Sequence, residues 1–378
     1  MAQIDIRPVS SKKDRDIFIK LPWTLYKDDP NWIPPLILER REHLDPKKNP
    51  YFDHAEVQLW LAFRGDECVG RISTQVCALH QQRYNNQMGQ FGFLEAIDDA
   101  EVFKALLQTA RDWLRQRGMK RISGPYSFSI NDEMGVLVKG FDRPPCFLMG
   151  HALPYYAPQL EALGLQKAKD VFAYDYNVKP DFPKMANAII ARAQKQGKIE
   201  VRPMRMSAFE EDLALILDIF NDAWSGNWGF VPMTEAEVKK LGNDLKMLVK
   251  GGYGQVAQIN GEAAAMIISL PDINHSIRDL NGCLLPFGWA KLLWRLKVQR
   301  FTDGRIPLMG VRKKFQKGAL GAGLALMVVD AIRAYHYPRG AKRAELSWVL
   351  EDNDAMNTIA KIVGGQHYKT YRIYEDDL

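Results

Sequence analysis

Cysteine is scarce in this chain of 378 residues: there are four, Cys68, Cys77, Cys146 and Cys283, with no metal-ligand or redox spacing among them. That excludes zinc ribbons and a disulfide framework, and no metal is expected. No apolar run reaches ~18 residues, so no membrane-spanning helix is expected. A leader with charged, apolar and small-residue regions is missing too, which makes the cytoplasm the expected compartment. The surplus of positive charge is small, +6, and bases alternate with acids almost everywhere. Without a basic stripe or a groove-reading motif, nucleic acid is not an expected partner. Neither GxxxxGK[ST] nor the GxGxxG order occurs, which removes two common phosphate-loop signatures.

What is present suits an α/β chain. Hydrophobic residues make up 47% and charged residues 25%, enough apolar material for two domains of ordinary size. The clearest pattern runs from 306 to 351. An apolar run, Ile306 to Val311, leads into a basic, glycine-bearing loop, Arg312 to Gly323. Apolar residues recur at Leu320, Leu324, Met327, Val328, Ala331, Ile332 and Tyr335, one face of a 3.6-residue period. Pro338 and Gly340 stop this helix, and Ala344 to Leu350 reads as the next strand. Strand, loop, helix and strand make a parallel crossover. A helix start offers unpaired N–H groups, and glycine lets a large anion approach the backbone. With Arg312, Lys313, Lys314 and Lys317 around it, the turn is either a pyrophosphate cradle or a solvated basic turn with glycines for packing.

Beyond the second strand come Glu351-Asp352-Asn353, a short helix to Val363, Gly364-Gly365 and a last strand near Tyr368 to Tyr374. In this order the sequence resembles the GNAT acyltransferase superfamily. Five phrases narrow the resemblance: Asp29-Pro30-Asn31-Trp32-Ile33-Pro34-Pro35, Asn49-Pro50-Tyr51-Phe52, Gly70-Arg71-Ile72, Asn131-Asp132-Glu133 and Asn227-Trp228-Gly229-Phe230-Val231-Pro232. They resemble a bacterial family of tandem-GNAT N-acyltransferases that includes ceramide-synthase-like enzymes.

The resemblance implies two GNAT-like α/β domains, 1–180 and 181–378, with mixed sheets flanked by helices. It implies transfer of a long-chain acyl group from acyl-CoA to an amine, a sphingoid-type lipid amine by the family's example. Acyl-CoA binding is then expected at Met309, Val311, Lys313, Lys314, Gln316, Lys317, Gly318, Gly321, Gly323 and Asn353. The sequence departs from the superfamily twice. The usual loop is [RQ]xxGx[GA], and here Gly318 stands where Arg or Gln belongs. The usual acid is a tyrosine seven residues after the turn Asn, and here that position is Ala360. Glu351 at the strand end is the first candidate base, Glu133 the second, and Tyr371 the candidate acid. The alternative is a non-catalytic GNAT-fold protein that binds an acyl thioester or a membrane surface.

The N-terminal half repeats the order of elements: a hairpin around Arg64 to Glu67, a strand at Gly92 to Ala96, a helix from Glu101 to Arg117, and a strand at Lys120 to Gly124. Its loop, Glu95 to Glu101, holds four carboxylates and no glycine. Such a loop repels pyrophosphate, so this half is expected to be a degenerate copy without cofactor. Leu21 to Pro50, rich in proline and aromatics, is either an ordered strap or one wall of a substrate groove. Trp224, Trp228 and Phe230 either line the acceptor pocket or pack the core. An insertion at 271–304 carries Leu285, Trp289, Leu292, Leu293 and Leu296 on one helical face, with Lys291 and Arg295 beside it. It is either an interfacial segment, giving reversible contact with the inner face of the membrane, or a helix folded onto its own domain.

Overall fold

The computed structural model describes residues 3–298 and 300–378. Two compact units divide the chain. One comprises Met1–Val171, Asn274–Leu293 and Lys369–Leu378; the other comprises Phe172–Ile273 and Trp294–Tyr368. The elements in order are β1 (Ile4–Pro8), α1 (Lys12–Leu25), α2 (Ile37–His43), β2 (Ala55–Arg64), β3 (Glu67–Cys77), α3 (Ala78–Tyr84), β4 (Met88–Ala96), α4 (Ala100–Arg115), β5 (Arg121–Gly124), β6 (Val136–Lys139), α5 (Tyr156–Ala162) and β7 (Gln166–Asn177). Then follow α6 (Lys184–Gln194), β8 (Ile199–Pro203), α7 (Phe209–Trp224), α8 (Glu235–Leu245), β9 (Gly254–Ile259), β10 (Glu262–Pro271), α9 (Asn274–Ile277), α10 (Gly288–Val298), β11 (Asp303–Val311), α11 (Gly318–His336), β12 (Arg343–Leu350), α12 (Asp354–Ile362) and β13 (Gln366–Asp377). The chain passes from the first unit to the second within β7, lends Asn274–Leu293 back to the first, and returns to it finally within β13.

In the first unit the strand order is β1-β2-β3-β4-β5-β13, with β6 also paired to β13. Helix α4 buries Val102, Leu106, Ala110 and Leu114 from one face, as its 3.6-residue apolar period requires. Ser11 caps α1 by accepting from Asp14 N. The proline-rich stretch departs from expectation, because α1 runs to Leu25 and takes Pro22 into its last turn. Pro22 has no N–H to offer the carbonyl four residues back. That carbonyl, on Phe18, accepts instead from the buried Arg71 guanidinium at 2.5 Å. Downstream, Trp32 stacks on Tyr26 at 5.3 Å and meets Trp23 edge-on at 5.2 Å. The stretch is thereby ordered, and it holds part of the insertion. Trp23 Nε1 donates to Asn281 Oδ1 at 2.7 Å, and Ile37 N to Gly282 O at 3.0 Å.

In the second unit the order is β7-β12-β11-β10-β9-β8. Asn260 and Gly261 turn the β9–β10 hairpin with φ of 50° and 84°, the positive pair a two-residue hairpin favours. Alternate residues of β9 and β10 feed two cores. Ala257, Ala265 and Ile267 pack with α11, whereas Val256, Met266 and Ile268 pack with α7. Thr234 and Glu237 form a capping box at the start of α8. By length and composition Gly318–Arg339 is apolar enough to cross a bilayer, contrary to the expectation from apolar runs. Its apolar side is spent on the sheet, with Leu324, Leu326 and Val328 fully buried.

Candidate functional site

The site begins where two parallel strands separate. β11 pairs with β12 from Asp303 to Ile306, opposite Arg343 to Leu346. The next residue is Pro307, which has no N–H and cannot extend the ladder. β11 continues along β10 as far as Val311. Arg312 N bonds Ala264 O at 2.8 Å, which sets the alternation. From Leu308 onward, past a register shift, even-numbered residues of β11 bond β10, and the N–H groups of Met309 and Val311 turn toward the space that β12 has left. Trp224, the last residue of α7, donates from Nε1 to Met309 O at 2.9 Å. The opening is an apolar cleft of about 650 Å³, walled by Trp224, Ile306, Pro307, Met309, Leu346, Trp348 and Met356 among others.

The basic loop joins this cleft to α11. Lys317 stands at the N-cap, and no side chain there accepts from the helix, so the first N–H groups of α11 face outward for an anion. Gly318 has φ of 63°. A Cβ on Gly321 would lie 2.3 Å from Gln316 O, so the turn closes only on glycine. Gln316 Nε2 donates to Val311 O, and Lys313 N to Asp222 Oδ2, both at 2.8 Å. These bonds shape the loop before any ligand arrives. Two of the four cations are already engaged by acids, Arg312 by Asp218 and Lys314 by Glu262. Lys313 and Lys317 carry exposed side chains at the rim.

Beneath the parting strands lies a buried polar network. Glu345 is fully buried and stands opposite Arg305 in the parallel register. Its carboxylate accepts from the hydroxyls of Ser347 and Tyr368. Arg305 donates from Nε to Ser347 Oγ at 2.9 Å and from Nη2 to Ser347 O at 3.3 Å. Ser347 also lines the cleft. The sequence carried a signal for this: one charged residue inside each of two apolar strands, with Ser347 two residues after Glu345 on the same face.

No family model matches the chain. A curated protein named bacterial ceramide synthase, from Caulobacter vibrioides, is 47% identical over 378 residues, covering 100% of this chain and 98% of that protein. The chain belongs to the bacterial ceramide-synthase-like family of tandem GNAT proteins. It is an acyl-transferring enzyme. A second relative, Protein YghO of Escherichia coli, is 43% identical and covers 99% of this chain and 95% of its own length. Among solved structures, a tandem GNAT protein from the clavulanic acid biosynthesis pathway aligns over 99% of this chain and 98% of its own, with TM-score 0.54 and 12% identity. That likeness shows the shared fold.

The residues singled out from the sequence fall in different places in this tandem GNAT protein. Met309 and Asn353 line the cleft. Asn353 also caps α12, its Oδ1 accepting from Met356 N at 3.1 Å. Glu351 follows the last residue of β12. Its carbonyl accepts from Asn357 Nδ2 at 3.1 Å, and Leu350 O accepts from the same group at 3.0 Å. Asn357, which clamps the turn, went unnoticed in the sequence although it lies one helical turn beyond Asn353. Gly323 serves helix packing, because a Cβ there would be 2.2 Å from Ala193 Cβ on α6. Trp224 lines the cleft, whereas Phe230 is buried in the α7 core with its ring 5.6 Å from Phe220. Trp228 is half-buried. Tyr371 and Glu133 belong to the first unit. Tyr371 is fully buried opposite Leu137, and Glu133 lies 3.6 Å from Arg40.

The first unit has the corresponding strand pair, closed by its own chain. β4 and β5 pair in parallel from Met88 to Gln90. Tyr126 then bonds Phe91 O through its N–H at 2.9 Å, and a Cβ on Gly92 would lie 1.5 Å from Tyr126 O. The backbone after β5 therefore fills the opening. The start of α4 is also taken, since Asp99 accepts from Glu101 N at 2.9 Å and pairs with Arg64 at 2.6 Å. Glu95 is held by Tyr26 at 2.7 Å and Tyr156 at 2.6 Å, and burial raises its pKa above the usual carboxylate value. One CoA ester should bind per chain. Calorimetric titration is expected to give a stoichiometry of one; two sites saturating together would refute the reading of the first unit as a degenerate copy.

Proposed function

We propose that this enzyme moves a long-chain acyl group from acyl-CoA to the amine of a lipid-like amino alcohol of the sphingoid type. The parting of β11 and β12 at Pro307 carries the reading, because it turns two backbone N–H groups into an apolar cleft beside an uncapped helix start. The pyrophosphate lies at Gly318 to Gly321, with Lys313 and Lys317 at its rim. The thioester carbonyl faces the N–H groups of Met309 and Val311, which stabilise the oxyanion as the amine attacks. The N–C bond forms, the C–S bond breaks, and the ammonium proton leaves to a carboxylate, for which Glu351 is the proposed acceptor. The departing thiolate takes up a proton as free CoA. Orientation within the cleft supplies much of the rate.

The lipid acceptor rests on the relative's name and on two features of this chain. The cleft walls are mostly aliphatic and aromatic, and pocket lining follows ligand polarity. The insertion exposes large apolar side chains, with Leu285 at 82%, Phe287 at 78%, Trp294 at 62% and Trp289 at 50% of full exposure. No residue of α10 is buried. Lys291, Arg295 and Lys297 stand among them in the sequence, a composition suited to a segment that rests on an anionic membrane surface. Changing Phe287 and Trp294 to aspartate should abolish co-sedimentation with anionic vesicles while leaving acetyl-CoA binding intact; sedimentation equal to the parent's would remove the membrane contact. The non-catalytic alternative draws on Ala360, and thiol release separates the two. Acyl-CoA with a panel of amines should yield free thiol only when an amine is present, and no release with any amine would leave a binding protein.

A further inference from the structure

A second pocket, partly open to solvent and about 680 Å³ in extent, lies between helices α7 and α8 and the face of the sheet they cover. Leu213, Leu217, Met233, Leu241 and Leu308 are typical of its walls, and among the described residues lining it Tyr253 has the one polar side chain. Water finds few partners on such walls, so the pocket favours an apolar ligand.

The cavity adjoins the cleft along two elements. On α7, Phe220 lines the cavity and Trp224, one turn later, lines the cleft, with their rings 4.9 Å apart. On β11, Leu308 lines the cavity while its neighbours Pro307 and Met309 line the cleft. We infer that the cavity is the binding site for the aliphatic tail of a long-chain acyl donor, an assignment that rests on the acyl-transfer reading above. With the thioester carbonyl at Met309, the first methylenes run past Trp224 in the cleft toward Phe220 and Leu308, which line the cavity. The acceptor's chain has no such fixed starting point there. Met233 is unbranched and adjusts to chains of different length.

Calorimetry with palmitoyl-CoA, acetyl-CoA and free palmitate tests the assignment on the full chain and on Leu217→Trp and Leu241→Trp, which fill the cavity. The parent should bind palmitoyl-CoA ~10-fold or more tighter than acetyl-CoA, since each buried methylene adds affinity. The filled variants should bind acetyl-CoA as the parent does and lose that preference. Absence of the preference in the parent, or its survival in both folded variants, would overturn the site. Should the tryptophan variants fail to fold, Leu217→Ala enlarges the cavity and should move the preferred chain to greater length; an unchanged profile counts against the site. If the parent binds neither ester, the acyl-transfer reading is what fails. Palmitate bound by the parent and lost in the filled variants would still assign the cavity, and palmitate retained would overturn it.

Discussion

Replacing Gly321 with aspartate should weaken acyl-CoA binding by about 2 kcal/mol or more, roughly thirtyfold in Kd. Two effects act in one direction. The new Cβ would lie 2.3 Å from Gln316 O, so the turn that presents the helix N–H groups must open. The new carboxylate would also stand where the pyrophosphate is expected, and charge-assisted contacts become repulsions. Gly323 supplies the control. A side chain there meets Ala193 on α6, so Gly323→Ala should lower stability and leave the affinity of the folded protein unchanged. Titration of folded Gly321→Asp beside the parent decides the matter, and equal affinities would remove the site from this loop.

Removing the Glu345 carboxylate should cost about 2–3 kcal/mol of stability, because it leaves two hydroxyls without their buried acceptor. Glu345 is fully buried and Arg305 nearly so. In Glu345→Ala the hydroxyls of Ser347 and Tyr368 lose their acceptor. The Arg305 guanidinium keeps its bonds to Ser347. Thermal unfolding should show a clear drop in Tm. A shift no larger than that of an exposed Glu→Ala change would mean the network is solvated and dispensable. The two strands separate just beyond Ile306, so the network fixes the ladder on which the cleft depends.

The features legible in the sequence were those whose cause is local. The crossover from 306 to 351 announced itself through a helical period bounded by glycine and proline. The Asn260-Gly261 turn and the Thr234–Glu237 capping box are of the same local kind. Pro307 was legible only as a residue type; that it ends a ladder depends on β12, about forty residues away in the chain. Closure of the first unit's opening by Tyr126 and the residence of Asn274–Leu293 in that unit arise from contacts between distant segments. Such contacts leave no period in the sequence. The Glu345 network fell between, because buried charge in a strand is visible but its partners are not. Gly321 and Gly323 looked alike in the loop, and only their surroundings separate a turn that admits an anion from a glycine that admits another helix.

Acyl transfer to a lipid amine, the proposed activity, is tested by a competition assay. The purified protein is given a long-chain acyl-CoA together with equal concentrations of a long-chain amino alcohol and a water-soluble polyamine. Thiol release and product mass are followed together. An N-acyl amino alcohol should be the main product, formed one for one with free CoA. Faster acylation of the polyamine, or thiol release with no amide of either amine, would contradict it.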